Sequence, residues 1–270
     1  MPAPQITTKL YGDKIEVKFY PDSHRYYVGG KSAPGVTTII GIKDKSQALI
    51  PWAVNCFVDF LTPHIGNTLT EDLVMEGARQ HTVYKKEAAD FGTKIHNWVS
   101  DYIGAKITSA VLPEMPADKE VQIGVNAFLD WEKGHKVKFI SSERPVYSKK
   151  HHYVGTLDIE AKIDGEICLV DLKSSNALYN TVNLQTAAYR AADEEESKKK
   201  YSGRWAVRLA KETEAEFQSR MAKKGREGKY QVFEAKFLDD DKKNYKRDFE
   251  AFLACLKLYQ FEKETNVWLK

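Results

Sequence analysis

The chain has only three cysteines in 270 residues, Cys56, Cys168 and Cys255, and no two of them form a C-x-x-C pair. That excludes a disulfide framework and leaves no ligand set for a structural zinc or an iron-sulfur cluster, so a reduced intracellular setting is expected. No apolar run approaches the roughly 20 residues that a membrane-spanning helix needs. The opening stretch MPAPQITTKLYGDKIEV holds no apolar core of the kind a secretory signal uses. Net charge is small, +3 at pH 7, too little to argue nucleic-acid binding by itself. There is no internal repeat, no low-complexity linker and no G-x-x-x-x-G-K-[ST] loop, which argues against a solenoid, freely jointed domains, or an ATPase or helicase. The expectation is a cytoplasmic protein with no membrane partner, from a bacterium or a phage-infected host.

What is present is enough apolar material for one core, 42% of the chain. Charge is clustered: Ser148 to His152, Ser197 to Lys200 and Lys223 to Lys229 are basic, while Asp193 to Glu196 and Asp239 to Asp241 are acidic. Such runs read first as solvated faces and loops. Residues 14–40 alternate and are rich in Val, Ile, Tyr and Thr, with turn signals at Pro21-Asp22 and Gly29-Gly30, predicting a β meander that takes in GVTTII. Residues 46–102 turn helical, most clearly where Ala88, Phe91, Ile95, Val99 and Tyr102 form one stripe. A helix is expected over 118–133, with Val121, Val125, Phe128 and Leu129 inward, then strands over 137–147, 154–163 and 166–172. A helix over 182–199, strands at 204–209 and 230–237 and a helix over 241–263 follow, the last burying Tyr245, Phe249, Phe252, Leu256 and Tyr259. This order gives an α/β (α+β) fold, a mixed central β-sheet flanked by helices, in one domain over 1–270: an elaboration over 1–80 and a core over 81–270.

The segment from Tyr153 to Ser175, YVGTLDIEAKIDGEICLVDLKSS, carries the chemistry. Asp164-Gly165 suits a two-residue type I′ turn, which pairs Ile163 with Glu166, Asp158 with Asp171 and Thr156 with Lys173. Leu157, Ile159, Ala161 and Ile163 then share the core face with Cys168, Val170 and Leu172, and Asp158, Asp171 and Lys173 share the other. Opposed carboxylates about 5 Å apart at Cβ repel by roughly 3 kcal/mol at an effective dielectric of about 20. A divalent cation reverses that repulsion, and hard oxygen ligands suit Mg²⁺ or Mn²⁺. The alternative is a solvated sheet face with ordinary cross-strand pairs.

These residues resemble the PD-(D/E)XK nucleases, in particular their RecB-like exonuclease branch, which includes phage-type and mitochondrial genome-maintenance exonucleases. The resemblance rests on GTLD at Gly155 to Asp158, DLK at Asp171 to Lys173, the Q-x-x-x-Y spacing of Gln185 and Tyr189, and FGTKIH at Phe91 to His96. GVTTI at Gly35 to Ile39 and the position of Glu143 fit the same layout. The resemblance implies a restriction-endonuclease-like core and a DNA exonuclease of recombination or repair, using one or two Mg²⁺ or Mn²⁺ ions. It implies metal ligation by His96, Asp158, Asp171 and the Leu172 carbonyl, with Lys173 orienting the attacking water and Gln185 and Tyr189 holding the strand. Glu143, Thr156, Ser174 and Ser175 are implied to contact substrate, Glu143 alternatively a second metal shell. The implied partners are DNA, as single strands or duplex ends, and a recombination protein or a second copy of the chain. Some relatives carry four cysteines for an iron-sulfur cluster, and this chain has no such arrangement. A structure-specific endonuclease and a catalytically silent end-binding protein are the rival readings.

Overall fold

The computed structural model describes residues 5–223 and 225–265; of the basic run at Lys223 to Lys229, residue 224 lies outside them. Two compact units emerge, one comprising the chain up to Ile42 and from Ile95 onward, the other Lys43–Lys94. The division therefore falls away from the expected boundary at residue 80, and the N-terminal meander belongs to the larger unit.

That meander is a four-stranded antiparallel sheet of β1 (Ile6–Leu10), β2 (Ile15–Tyr20), β3 (Arg25–Val28) and β4 (Lys31–Ala33). β1 lies upstream of the expected stretch. Leu10, Val17 and Tyr26 bury their side chains against Tyr147 and Val154 of the main sheet. The segment expected as the last strand is instead a helix, α1 (Val36–Ile40). Its β-branched residues favour strand, but Val36, Ile39 and Ile40 stand at helical spacing and all three are buried in the main core, so burial wins.

The smaller unit holds α2 (Ser46–Leu61), a short 3₁₀ turn at Thr62–His64 and the first part of α3 (Glu71–Thr108). In the larger unit α3 buries Ile95, Val99, Tyr102 and Ile103; Ala88, expected in the same stripe, belongs to the smaller unit and is exposed. α4 (Lys119–Lys133) begins where the Asp118 carboxylate accepts hydrogen bonds from the Glu120 and Val121 amides. It buries Val121, Val125, Phe128 and Trp131; Leu129 is only half-buried.

The main sheet is mixed, in the order β5 (Val137–Ser148), β6 (Tyr153–Ile163), β7 (Glu166–Lys173), β8 (Gly203–Leu209) and β9 (Phe233–Phe237). β7 and β8 run parallel and every other pair is antiparallel. The parallel step requires a crossover, supplied by α5 (Thr181–Ser197), whose Ala187, Ala188 and Ala192 let it pack closely. α7 (Lys242–Thr265) buries Phe252 and Leu256 on the same side; Tyr245, Phe249 and Tyr259 are half-buried. Between β8 and β9 lies a helix not expected, α6 (Glu214–Lys223), begun by a capping box in which the Thr213 amide donates to Glu216 and the Glu216 amide to the Thr213 hydroxyl. The architecture is a mixed α/β fold with a five-stranded sheet flanked by helices. No helix among the described residues is long and apolar enough to cross a membrane.

The Asp164-Gly165 turn forms as its chemistry dictates, with φ of 50° and 98°, and the register is Ile163 with Glu166 through Ile159 with Val170. There the ladder stops, so the expected pairs Asp158–Asp171 and Thr156–Lys173 are not part of it. Glu143 of β5 lies opposite the same point of β6. Its φ of 47° is left-handed, uncommon outside glycine, and interrupts the two-residue alternation of β5. Ser142 on one side of it touches Ser100 of α3 at 3.1 Å, whereas Arg144 on the other pairs with Asp193 and Glu196 of α5. Leu157, the partner of Arg144 on β6, follows: expected beside Ile159, it packs instead with Leu169, Ala188 and Tyr189. Asp158 sits at this reversal.

Candidate metal centre

Four elements of the larger unit converge on the reversal. His96 comes from α3, Glu143 from β5, Asp158 from β6, and Asp171 and Lys173 from β7. Each of the first three offers one ligand atom, and these atoms lie within 4.8 Å of one another. His96 Nδ1 is 3.4 Å from Glu143 Oε1 and 3.9 Å from Asp158 Oδ2. Burial alone would lower the His96 pKa, but the Asp158 and Glu143 carboxylates outweigh it and raise it from 6.5 to about 9. Glu143, expected as a substrate contact or outer ligand, thus stands in the nearest cluster, and Asp171, expected in that cluster, stands outside it.

Asp158 is held by the chain itself. The Leu172 amide donates to its Oδ2 at 2.7 Å, so the carboxylate replaces a rung of the interrupted ladder and Leu172 is fixed beside it. Burial raises the Asp158 pKa. Asp171 is fully buried, and neither of its carboxylate oxygens has an aligned hydrogen-bond donor. Lys173 Nζ lies 2.6 Å from Oδ2, an ion pair without the alignment of a hydrogen bond. Burial raises the Asp171 pKa from 3.8 to about 6, Lys173 pulling it down and Asp158 pushing it up. Asp158 is therefore close enough to act on Asp171 through its charge. Burial also acts to lower the Lys173 pKa, but the two aspartates prevail and raise it, so the lysine stays an ammonium.

The residues around these groups divide cleanly. Gln185 and Tyr189, one helical turn apart on α5, touch as their spacing predicts: the Gln185 amide donates to the Tyr189 hydroxyl at 3.0 Å. Burial and the charges of Asp158 and Asp171 hold the tyrosine pKa well above 10, so it keeps its proton, and because it accepts from Gln185 that proton is free to be donated. Its ring explains Gly155: a Cβ there would lie 2.4 Å from Tyr189 Cε1 and 3.3 Å from Val36 Cγ2. Thr156 is diverted, sharing a 3.2 Å hydrogen bond with Tyr26 of β3, a residue the sequence did not single out. The Ser175 hydroxyl donates to the Ala177 carbonyl at 2.8 Å, while Ser174 is half-buried with no hydrogen bond among the described residues.

A divalent cation fits this donor set on one specific ground: the fully buried Asp171 carboxylate has no aligned hydrogen-bond donor on either oxygen, with only the Lys173 ammonium beside it. His96, Glu143 and Asp158 supply one imidazole and two carboxylates within 4.8 Å of one another, a set that suits a hard dication, and Asp171 adds a further carboxylate on the adjacent strand. The three cysteines are free, and the cluster includes none of them. Compared with known proteins, the chain matches no family model and no curated protein at a significant level.

Proposed function

We propose that the chain is a divalent-metal-dependent DNA exonuclease, hydrolysing phosphodiester bonds at DNA ends in recombination or repair. The observation that carries the reading is Asp171, fully buried with two oxygens lacking hydrogen-bond donors beside Lys173 and within electrostatic reach of Asp158. Burying an unsatisfied charge is expensive, and nothing in the packing of the sheet requires it. His96, Glu143, Asp158 and Asp171 would hold one or two Mg²⁺ or Mn²⁺ ions. A bound ion supplies charge neutralisation on the phosphoryl oxygens and acidifies a water.

The chain's own groups do the rest. Lys173, an ammonium fixed by Asp171, orients the attacking water and offsets phosphate charge. Tyr189 donates its free proton to a phosphate oxygen, and Gln185 fixes the hydroxyl's direction. Leu172 holds Asp158 through its amide, so the acid cannot turn away. His96 must release its proton before it can act as a ligand.

The test is loss of end-labelled DNA with Mg²⁺ or Mn²⁺. Wild-type protein is expected to degrade 5′- or 3′-labelled linear DNA and leave a covalently closed circle intact. Asp171→Ala is expected to abolish degradation while the protein stays folded. Cleavage retained by Asp171→Ala would contradict the site, and nicking of the circle would replace exonuclease by endonuclease.

A further inference from the structure

Beyond Lys173 the sheet opens, at the carboxyl ends of the parallel strands β7 and β8, into a cavity of about 170 Å³. That is about ten times the space a single water needs. Its lining includes Ser175, Asn176, Arg208, Lys211, Arg220 and Lys229. The carboxyl ends of parallel strands are where open α/β sheets receive ligands. Register ties this cavity to the metal centre. Lys173 stands beside Arg208 in the β7–β8 ladder, so the two share a face and lie one strand apart, about 4.8 Å.

The charges in the cavity do not balance. Arg208 pairs with Glu234 at 3.1 Å, and Arg220 makes a two-point pair with Glu212 at 3.0 and 2.5 Å. Tyr230, whose hydroxyl donates to the Glu212 carbonyl, and Phe217 brace that wall. Two carboxylates are thus matched to two arginines. Lys211 and Lys229 line the same cavity and have no ion-pair partner among the described residues. Lys211 is half-buried, and its burial, helped by the neighbouring Arg220, lowers its pKa against the pull of Glu212 and Glu120.

We propose that this cavity is a phosphate subsite for a DNA strand, taking the phosphodiester group next to the one cleaved, with Lys211 and Lys229 as its free cations. Arg208, though paired with Glu234, links the cavity to Lys173 across the ladder, and Asn176 is exposed at the rim. The inference rests on the nuclease reading for which phosphate is cleaved, but the strand contact itself needs neither metal nor turnover.

Binding without metal tests it. A fluorescent single-stranded oligodeoxynucleotide is titrated with the full chain in EDTA at several salt concentrations, using wild type, Lys211→Gln/Lys229→Gln, and a charge-matched control, Lys133→Gln/Lys138→Gln. Melting temperatures check that all three are folded. Two lost phosphate contacts should flatten the dependence of log Kd on log salt by about 1.4, and affinity at moderate salt should drop about tenfold, against about twofold at most for the control. Absence of binding by wild type, or equal binding by the two variants, would overturn the subsite, even if wild type degrades DNA. Selective weakening of the cavity variant by a protein that degrades nothing with Mg²⁺ or Mn²⁺ would keep the subsite and remove the nuclease reading.

Discussion

Two sets of buried charges sit on the one sheet and are treated in opposite ways. Arg204 on β8 is fully buried, and its guanidinium donates to Asp239, Asp248, the Asn183 carbonyl and the Thr186 hydroxyl. Asp239 also receives Arg190, and the Tyr245 ring covers both arginines. Every charge there has partners of the right sign and direction. Asp171, on the adjacent strand and just as buried, has bare oxygens and one misaligned lysine. The first arrangement fastens α5, β8 and α7 together; the second leaves a buried carboxylate with a single lysine, the place where the proposed function puts a metal ion. Completeness of the hydrogen bonding, rather than burial, is what separates these two sets of charges.

The comparison breaks most sharply at Arg204. Arg204→Met leaves Asp239 and Asp248 buried without their main partner and should lower stability by about 3–5 kcal/mol in urea unfolding. A loss below about 1 kcal/mol would mean the network is not the fastening described. Next in size is Gly155→Ala, which forces a methyl group against the Tyr189 ring and should destabilise by about 1–3 kcal/mol. It should also slow DNA degradation, because the ring it moves carries the hydroxyl; an unchanged melting temperature would count against the close approach.

The smallest effect is the dependence on pH without metal. Asp171 has a folded pKa of about 6, above its ordinary 3.8, so its charge burdens the fold progressively as pH rises from about 4 to 6. His96, raised from 6.5 to about 9, stabilises fully below pH 6.5 and loses that contribution as pH climbs to 9. Both slopes point down. Unfolding in EDTA should show stability falling between pH 5 and pH 9, and His96→Asn/Asp171→Asn should flatten that fall. A parallel curve for the double variant would detach these groups from the stability of the fold.

Much of the architecture is legible in sequence because local chemistry dictates it. The Asp164-Gly165 turn fixes the β6–β7 register, Asp118 starts α4, and the four-residue step from Gln185 to Tyr189 forces their contact. What was missed depends on partners far away in the chain. α1 reads as strand until Val36, Ile39 and Ile40 are seen entering one core. Glu143 gives no local hint of left-handed backbone, yet at that level Leu157 turns to the other face, the ladder ends before Asp158 and Glu143 meets His96. Arg208 becomes a neighbour of Lys173 only through parallel pairing, which no turn announces. α6 was within reach, since Thr213 and Glu216 spell a capping box.

The central claim is that the aspartates at positions 158 and 171 are built to meet a dication. Calorimetric titration of metal-free protein with Mn²⁺, together with the melting temperature at each addition, measures this directly. The account predicts saturable binding of one or two ions, stabilisation approaching about 2.7 kcal/mol at a hundredfold excess over Kd, and loss of both effects in Asp158→Asn/Asp171→Asn. Equal binding by wild type and that variant, or no binding at millimolar Mn²⁺, would contradict it.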